Sequence, residues 1–154
     1  MLDAFDADAL IYAGIPNHPL GRRVAALFPA GPVLPRGPVF PGGSGAGTVR
    51  RAGVGSVLLV PELLSKPLRD EDAATVTTLS GYLARLDLRP VDRAVAAQAA
   101  VLAAQYKLRT ADATHLATAV VMGAQRFITN NKKDFDPSIK EIDITFPADL
   151  PDPG

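Results

Sequence analysis

Ser56-Val57-Leu58-Leu59-Val60-Pro61-Glu62 is the stretch on which the fold turns. Apart from its leading serine, Ser56–Val60 is apolar without interruption and of strand length. A strand apolar on both faces is one covered by helices on both sides, as in a parallel sheet. Proline cannot continue a ladder but suits the first turn of a helix. The segment therefore reads as a buried strand passing at Pro61 into a helix, with Glu62 in its first turn, two residues beyond the strand.

Working outward, the same alternation repeats. Leu2-Asp3-Ala4-Phe5-Asp6 reads as a first strand, followed by a short helix over Ala9–Ala13. Asn17 reads as the N-cap of a helix over about 18–28, with Pro19 near its first turn. Downstream, Asp70, Glu71 and Asp72 head a helix to about Leu86, acids lying at the positive end of its dipole. Leu86–Val91 is a candidate third strand. Asp92 caps an alanine-rich helix whose apolar side includes Val95, Ala99, Leu102 and Tyr106. A break at Leu108–Thr110 opens a helix from about Ala111 to Met122, closed by Gly123. Arg126–Asn130 and Asp143–Phe146 complete about five strands. Strands alternating with helices predict a three-layer α/β/α sandwich around a mainly parallel sheet.

One segment departs from this pattern. Prolines at 29, 32, 35, 38 and 41 precede glycines at 42, 43, 45 and 47. Proline at every third residue fits extended polyproline II, so 29–52 reads as a loop inserted into a single domain spanning 1–154.

The composition narrows the chemistry. Lys and Arg total 16 and Asp and Glu total 16, so bulk charge does not advertise nucleic acid, and any such binding needs a local basic patch. The absence of cysteine excludes disulfides, thiolate zinc sites and cysteine nucleophiles. With His18 and His115 the only histidines, a histidine-rich metal centre is excluded too. No apolar run reaches the roughly 18 residues that span a bilayer, and a cytoplasmic protein with no membrane partner is expected. Acid chemistry here runs on carboxylates.

In open parallel sheets the ligand site lies beyond the carboxyl ends of the strands. Asp6 ends the first strand, Glu62 follows the second, and Asp112 lies in the first turn of the helix after the break. Asn130, Asn131 and Asp134 follow the strand Arg126–Asn130. Oxygen donors without nitrogen or sulfur are what a hard cation such as magnesium or manganese prefers. Each acid also has an ordinary reading as dipole compensation or, for Asp8, as an N-cap. It is their joint placement that points to a site.

Four segments resemble, in family order, the motifs of the PIN-domain family. They are Phe5-Asp6-Ala7-Asp8-Ala9-Leu10-Ile11-Tyr12, Val60-Pro61-Glu62-Leu63-Leu64, Ala111-Asp112-Ala113-Thr114-His115-Leu116-Ala117-Thr118-Ala119, and Phe127-Ile128-Thr129-Asn130-Asn131-Lys132-Lys133-Asp134-Phe135. The third is the most specific. The small size resembles the VapC-like toxins of bacterial and archaeal toxin–antitoxin pairs. The resemblance implies a magnesium-dependent endoribonuclease, with manganese able to substitute, that hydrolyses RNA phosphodiester bonds. Asp6 and Asp112 would hold the metal, with Glu62 completing the pocket directly or through water. Asn131 stands where many relatives carry aspartate, which leaves Asp134 as the alternative fourth acid. An antitoxin protein and a homodimeric state are further implications. Arg50, Arg51, Lys132 and Lys133 are candidates to hold the RNA backbone. His115 reads as a helix-packing residue, and Tyr12 as core, with stacking on a base its alternative.

Two other readings stand beside this one. The first is a PIN fold without catalysis, serving as a binding module, for which Asn131 is the supporting feature. The second follows from Asp6-Ala7-Asp8, which resembles the nucleophile motif of haloacid-dehalogenase-type phosphatases. That family needs a Ser or Thr closing the second strand, where this sequence reads Val-Pro-Glu.

Overall fold

A computed structural model describes residues 1–29 and 51–154. Five strands form one parallel sheet: β1 (Asp3–Phe5), β2 (Gly53–Ser56), β3 (Leu86–Arg89), β4 (Arg126–Ile128) and β5 (Asp143–Thr145), in the order β3-β2-β1-β4-β5. Between them lie α1 (Ala7–Gly14), α2 (Pro19–Ala25), α3 (Leu59–Arg69), α4 (Ala73–Ala84), α5 (Arg93–Tyr106) and α6 (Thr110–Val121), with a final 3-10 turn at Pro147–Asp149. β1 is central. Its Asp3, Ala4 and Phe5 pair with Arg126, Phe127 and Ile128 on one side, and Ala4 pairs with Val54 on the other.

Successive strand residues serve opposite faces, which produces the three layers. Ala4, Val54, Phe127 and Ile144 pack with α5 and α6 in one apolar cluster, whereas Phe5, Leu86 and Ile128 pack with α1 to α4 in the other. The expected three-layer architecture around a parallel sheet is the one found. Among the described residues no helix is long and apolar enough to cross a membrane.

The decisive stretch is right in kind and wrong in register. The second strand is Gly53–Ser56, not Ser56–Val60, and the helix starts at Leu59, not Pro61. Ser56 Oγ accepts a hydrogen bond from the Leu58 amide at 3.2 Å, turning the chain as soon as the strand ends. The apolar run feeds a helix because Leu59 and Leu63, four residues apart, both face the core. Two of the strand's four residues are glycines, and both stand close to neighbouring atoms. A Cβ on Gly53 would stand 2.2 Å from the Asp3 carbonyl oxygen, and one on Gly55 would stand 2.5 Å from Leu59 Cδ1. Glu62 consequently lies six residues past the strand, one turn into α3.

Smaller corrections follow from local chemistry. Asn17 has φ +59 and cannot be an N-cap; His18 is, its Nδ1 accepting from the Gly21 amide at 3.2 Å. The first helix begins at Ala7 and is capped by Asp6, so the capping role expected of Asp8 belongs to Asp6. Asp70 closes α3, and Asp72 alone of the three acids caps α4. Asp92 caps α5 as expected, accepting from the Val95 amide at 2.9 Å. α5 ends on Lys107 in the left-handed region, and Arg109 is the N-cap residue of α6. The proline- and glycine-rich segment 29–52 lies, but for its ends, outside the described residues.

Candidate active site

The carboxyl ends of β1 and β4 are neighbours, and the chain leaving each carries the polar groups of the site. Asp6 follows β1 directly. As the N-cap of α1 its Oδ1 accepts from the Ala7 amide at 2.9 Å, and its Oδ2 accepts from Thr129 Oγ at 2.8 Å. Thr129, fully buried, directly follows β4. Its hydroxyl oxygen in turn accepts from the Asn131 amide at 3.1 Å. Asp8 lies in the first turn of α1, and its Oδ1 accepts from the Asn130 amide at 3.1 Å. The two aspartates are thus fixed by the loop after β4.

Glu62 comes from α3 and Asp112 from the first turn of α6. Asp6, Ala7, Asp8, Ile11, Glu62, Asp112 and Asn131 line one open cavity of about 450 Å³. Four of the five residues expected at the site share that cavity. The fifth, Asp134, stands behind it: its Oδ2 accepts from Asn131 Nδ2 at 2.9 Å, and its amide donates to Asn131 Oδ1 at 3.2 Å. Both ends of the Asn131 amide are therefore engaged by Asp134.

The electrostatics follow from crowding. Burial, then the neighbouring Asp8, pushes the Asp6 carboxyl up to about 7, against the opposing pull of His115, Thr129 and the Ala7 amide. Burial raises Asp8 as well, against the Asn130 and Ala9 amides. Asp112 is raised by burial and by the charges of Asp134 and Glu62, while His115 and Arg109 oppose the shift. His115, almost fully buried, sets Nε2 3.1 Å from Glu62 Oε2. Burial disfavours its charged form, yet the hydrogen bond to Glu62 and the charges of Asp6, Glu62 and Asp112 outweigh this and raise its pKa. Among the described residues its Nδ1 has no hydrogen-bond partner.

Three residues of this arrangement were not assigned a site role from sequence. Asp8 was readable as a cap, Thr129 as part of the strand Arg126–Asn130, and His115 as packing. A period-3.6 reading of α6 does put His115 one turn behind Asp112 on the same side, which was the available signal. The basic candidates fare differently. Lys132 and Lys133 follow Asn131 in the loop after β4 but do not line the cavity, and Lys132 Nζ lies 5.2 Å over the Phe146 ring. Arg51 precedes β2, at the amino end of the sheet, and donates from Nη1 to the Leu86 carbonyl at 2.5 Å; it does not join the site. Arg50 lies outside the described residues. Tyr12 is half-buried with its ring 4.6 Å from that of His18, so it stacks there and is not core.

Among the described residues no three carboxylate or imidazole groups stand close enough to make a ready-formed metal cage. The donor chemistry nonetheless fits a hard divalent cation. The cavity's ligand atoms are carboxylate and amide oxygens, and three of its carboxyls are pushed toward their protonated forms, an imbalance that a cation relieves.

A model of the family described as PIN domain matches residues 49–137, more than half of the chain. The chain belongs to the PIN-domain family. PIN domains are generally nucleases, and the matched span carries Glu62, Asp112, Asn131 and Asp134. No curated protein matches the chain. Two solved structures share its fold. A toxin–antitoxin complex from Klebsiella pneumoniae aligns at TM-score 0.66 and 20% identity, covering 96% of this chain and 98% of that one. VapBC2 from Rickettsia felis, bound to a DNA fragment from their promoter, aligns at TM-score 0.66 and 14% identity, covering 95% and 98%. The phosphatase reading of Asp6-Ala7-Asp8 yields to the family match. Although the second strand does close on a serine, Ser56 is buried and its hydroxyl serves the turn.

Proposed function

We propose that this PIN domain is a magnesium-dependent endoribonuclease and the toxin of a toxin–antitoxin pair. The observation that carries the reading is the convergence of Asp6, Asp8, Glu62 and Asp112 on one cavity in a chain of a nuclease family. Asp6 and Asp112 would hold the cation, with Glu62 and Asp8 completing the acidic wall. A bound magnesium ion would supply positive charge against the scissile phosphate and lower the pKa of water. The chain's own groups do the positioning. Thr129 and the Ala7 amide fix the Asp6 carboxylate through its two oxygens. Glu62, about a third exposed, offers Oε1 to orient an attacking water and to accept its proton. Lys132 and Lys133, which follow Asn131 in the chain, would meet the RNA backbone. Of the solved structures of like fold, one is described as a toxin–antitoxin complex and another as VapBC2, which supports an antitoxin protein as partner. A homodimer of a single 1–154 domain in the cytoplasm is part of the same proposal.

The test is cleavage of a mixed RNA pool by the purified chain, with magnesium, with manganese, and with a chelator. Cleavage that the chelator abolishes and either cation restores supports the reading. RNA binding without cleavage in every condition overturns it and favours a binding module, for which the full engagement of the Asn131 amide by Asp134 is the structural motive.

A further inference from the structure

His115 is buried to 1% side-chain exposure in a helix that is otherwise covered by apolar groups, small residues and threonines. The threonine hydroxyls of that helix satisfy themselves locally: Thr114 donates to the Thr110 carbonyl and Thr118 to the Thr114 carbonyl. His115 does not. It sends Nε2 out of its own layer to Glu62, 53 residues away in sequence and on a helix whose apolar side packs in the other cluster. Burying an imidazole with Nδ1 left unpartnered costs free energy, whereas a leucine would pack there without that cost. Among the described residues the ring's one hydrogen-bond contact is with the Glu62 carboxylate.

Glu62 needs such an anchor. It is a long, flexible side chain, and without a fixed partner it loses rotamer freedom on joining a ligand set. Asp6 and Asp8 are each held by the loop after β4; Glu62's partner is His115. We propose that His115 is a positioning residue that donates Nε2–H to Glu62 Oε2 and thereby holds the Glu62 carboxylate at the cavity wall. The imidazole acts through the acid and not on the reacting atoms. This inference rests on the metal-dependent reading above.

The test is calorimetric titration of manganese into the unaltered chain, His115→Leu, His115→Gln, Glu62→Gln and the double variant His115→Leu/Glu62→Gln. Groups that orient a metal's ligands change affinity by about 10- to 100-fold when removed. His115→Leu should weaken manganese binding within that range. His115→Gln, whose Nε2 can occupy the same donor position, should recover most of the loss. In the Glu62→Gln background His115→Leu should add nothing. A His115→Leu variant that binds manganese like the unaltered chain overturns this inference alone, as does an equal loss in both backgrounds. Failure of the unaltered chain to bind manganese overturns the nuclease reading and this inference with it. Should His115→Leu not fold, nitrogen-15 spectra of the imidazole in the unaltered chain and in Glu62→Gln decide. An Nε2–H signal that does not move when Glu62 changes overturns the proposal.

Discussion

Thr129 and Asp6 are 123 residues apart in sequence, and a single 2.8 Å hydrogen bond from the threonine hydroxyl to Asp6 Oδ2 joins the ends of two adjacent strands. The threonine Oγ in turn accepts from the Asn131 amide, so one buried hydroxyl couples the first acid of the site to the loop that carries the last.

Thr129→Val removes that hydroxyl with little change of volume. It strands Asp6 Oδ2 and the Asn131 amide together, and an unsatisfied buried group costs about 1–3 kcal/mol. The expected outcome is a loss of that order in chemical denaturation. Carboxyl NMR should show Asp6 titrating still higher, because a bond that favours its ionised form has gone.

The metal-free protein should lose stability as pH rises. Asp6 has a folded pKa of about 7 against 3.8 for the free side chain, so between about pH 4 and 7 the folded state holds more protons than the unfolded one, and stability falls across that window. Asp8 and Asp112 shift in the same direction. His115, raised above 6.5, contributes stability that is fully present below 6.5 and lost as pH climbs through its folded value. Thermal melts from pH 5 to 8 in chelator should show a falling Tm. Magnesium should raise Tm more at pH 8 than at pH 5. A Tm that climbs with pH in chelator contradicts the crowding described here.

Asp112→Asn removes one formal charge from the cavity at almost constant volume. Manganese affinity and RNA cleavage should fall together, by at least the roughly 10-fold that loss of even an orienting group produces. Equal cleavage at limiting magnesium removes Asp112 from the site.

Much of this arrangement was legible in the sequence. Asp6, Asp112 and the Thr129-Asn130-Asn131 turn could be placed because each borders a strong local signal: a short apolar strand, a helix start, a polar turn after an apolar run. The second strand was not, because Gly53 is required by the Asp3 carbonyl, a contact that no local pattern reveals. The apolar run that belongs to the start of α3 took its place. Asp8 and His115 were readable only as a cap and a core residue, since their partners, the Asn130 amide and Glu62, are distant in sequence.

Asn131→Asp would place a carboxylate beside Asp134, where the amide Nδ2 now donates across 2.9 Å. In chelator the variant should be less stable by about 1–2 kcal/mol, from one lost hydrogen bond and a like-charge contact. With manganese the added charge should tighten binding. Calorimetric titration beside Asp134→Asn separates the two acids: if Asp134→Asn weakens binding and Asn131→Asp does not strengthen it, Asp134 is the fourth acid.

Because β1 is central, its partner on one side is β4, a strand from much further along the chain. At a synthesis rate of about 5–20 residues per second, Thr129, 123 residues beyond Asp6, is made about 6–25 seconds after it. Until then Asp6 has the Ala7 amide but not Thr129, and Asp8 lacks the Asn130 amide. The acidic wall of the cavity is therefore not assembled in chain order; it waits for β4 to dock beside β1.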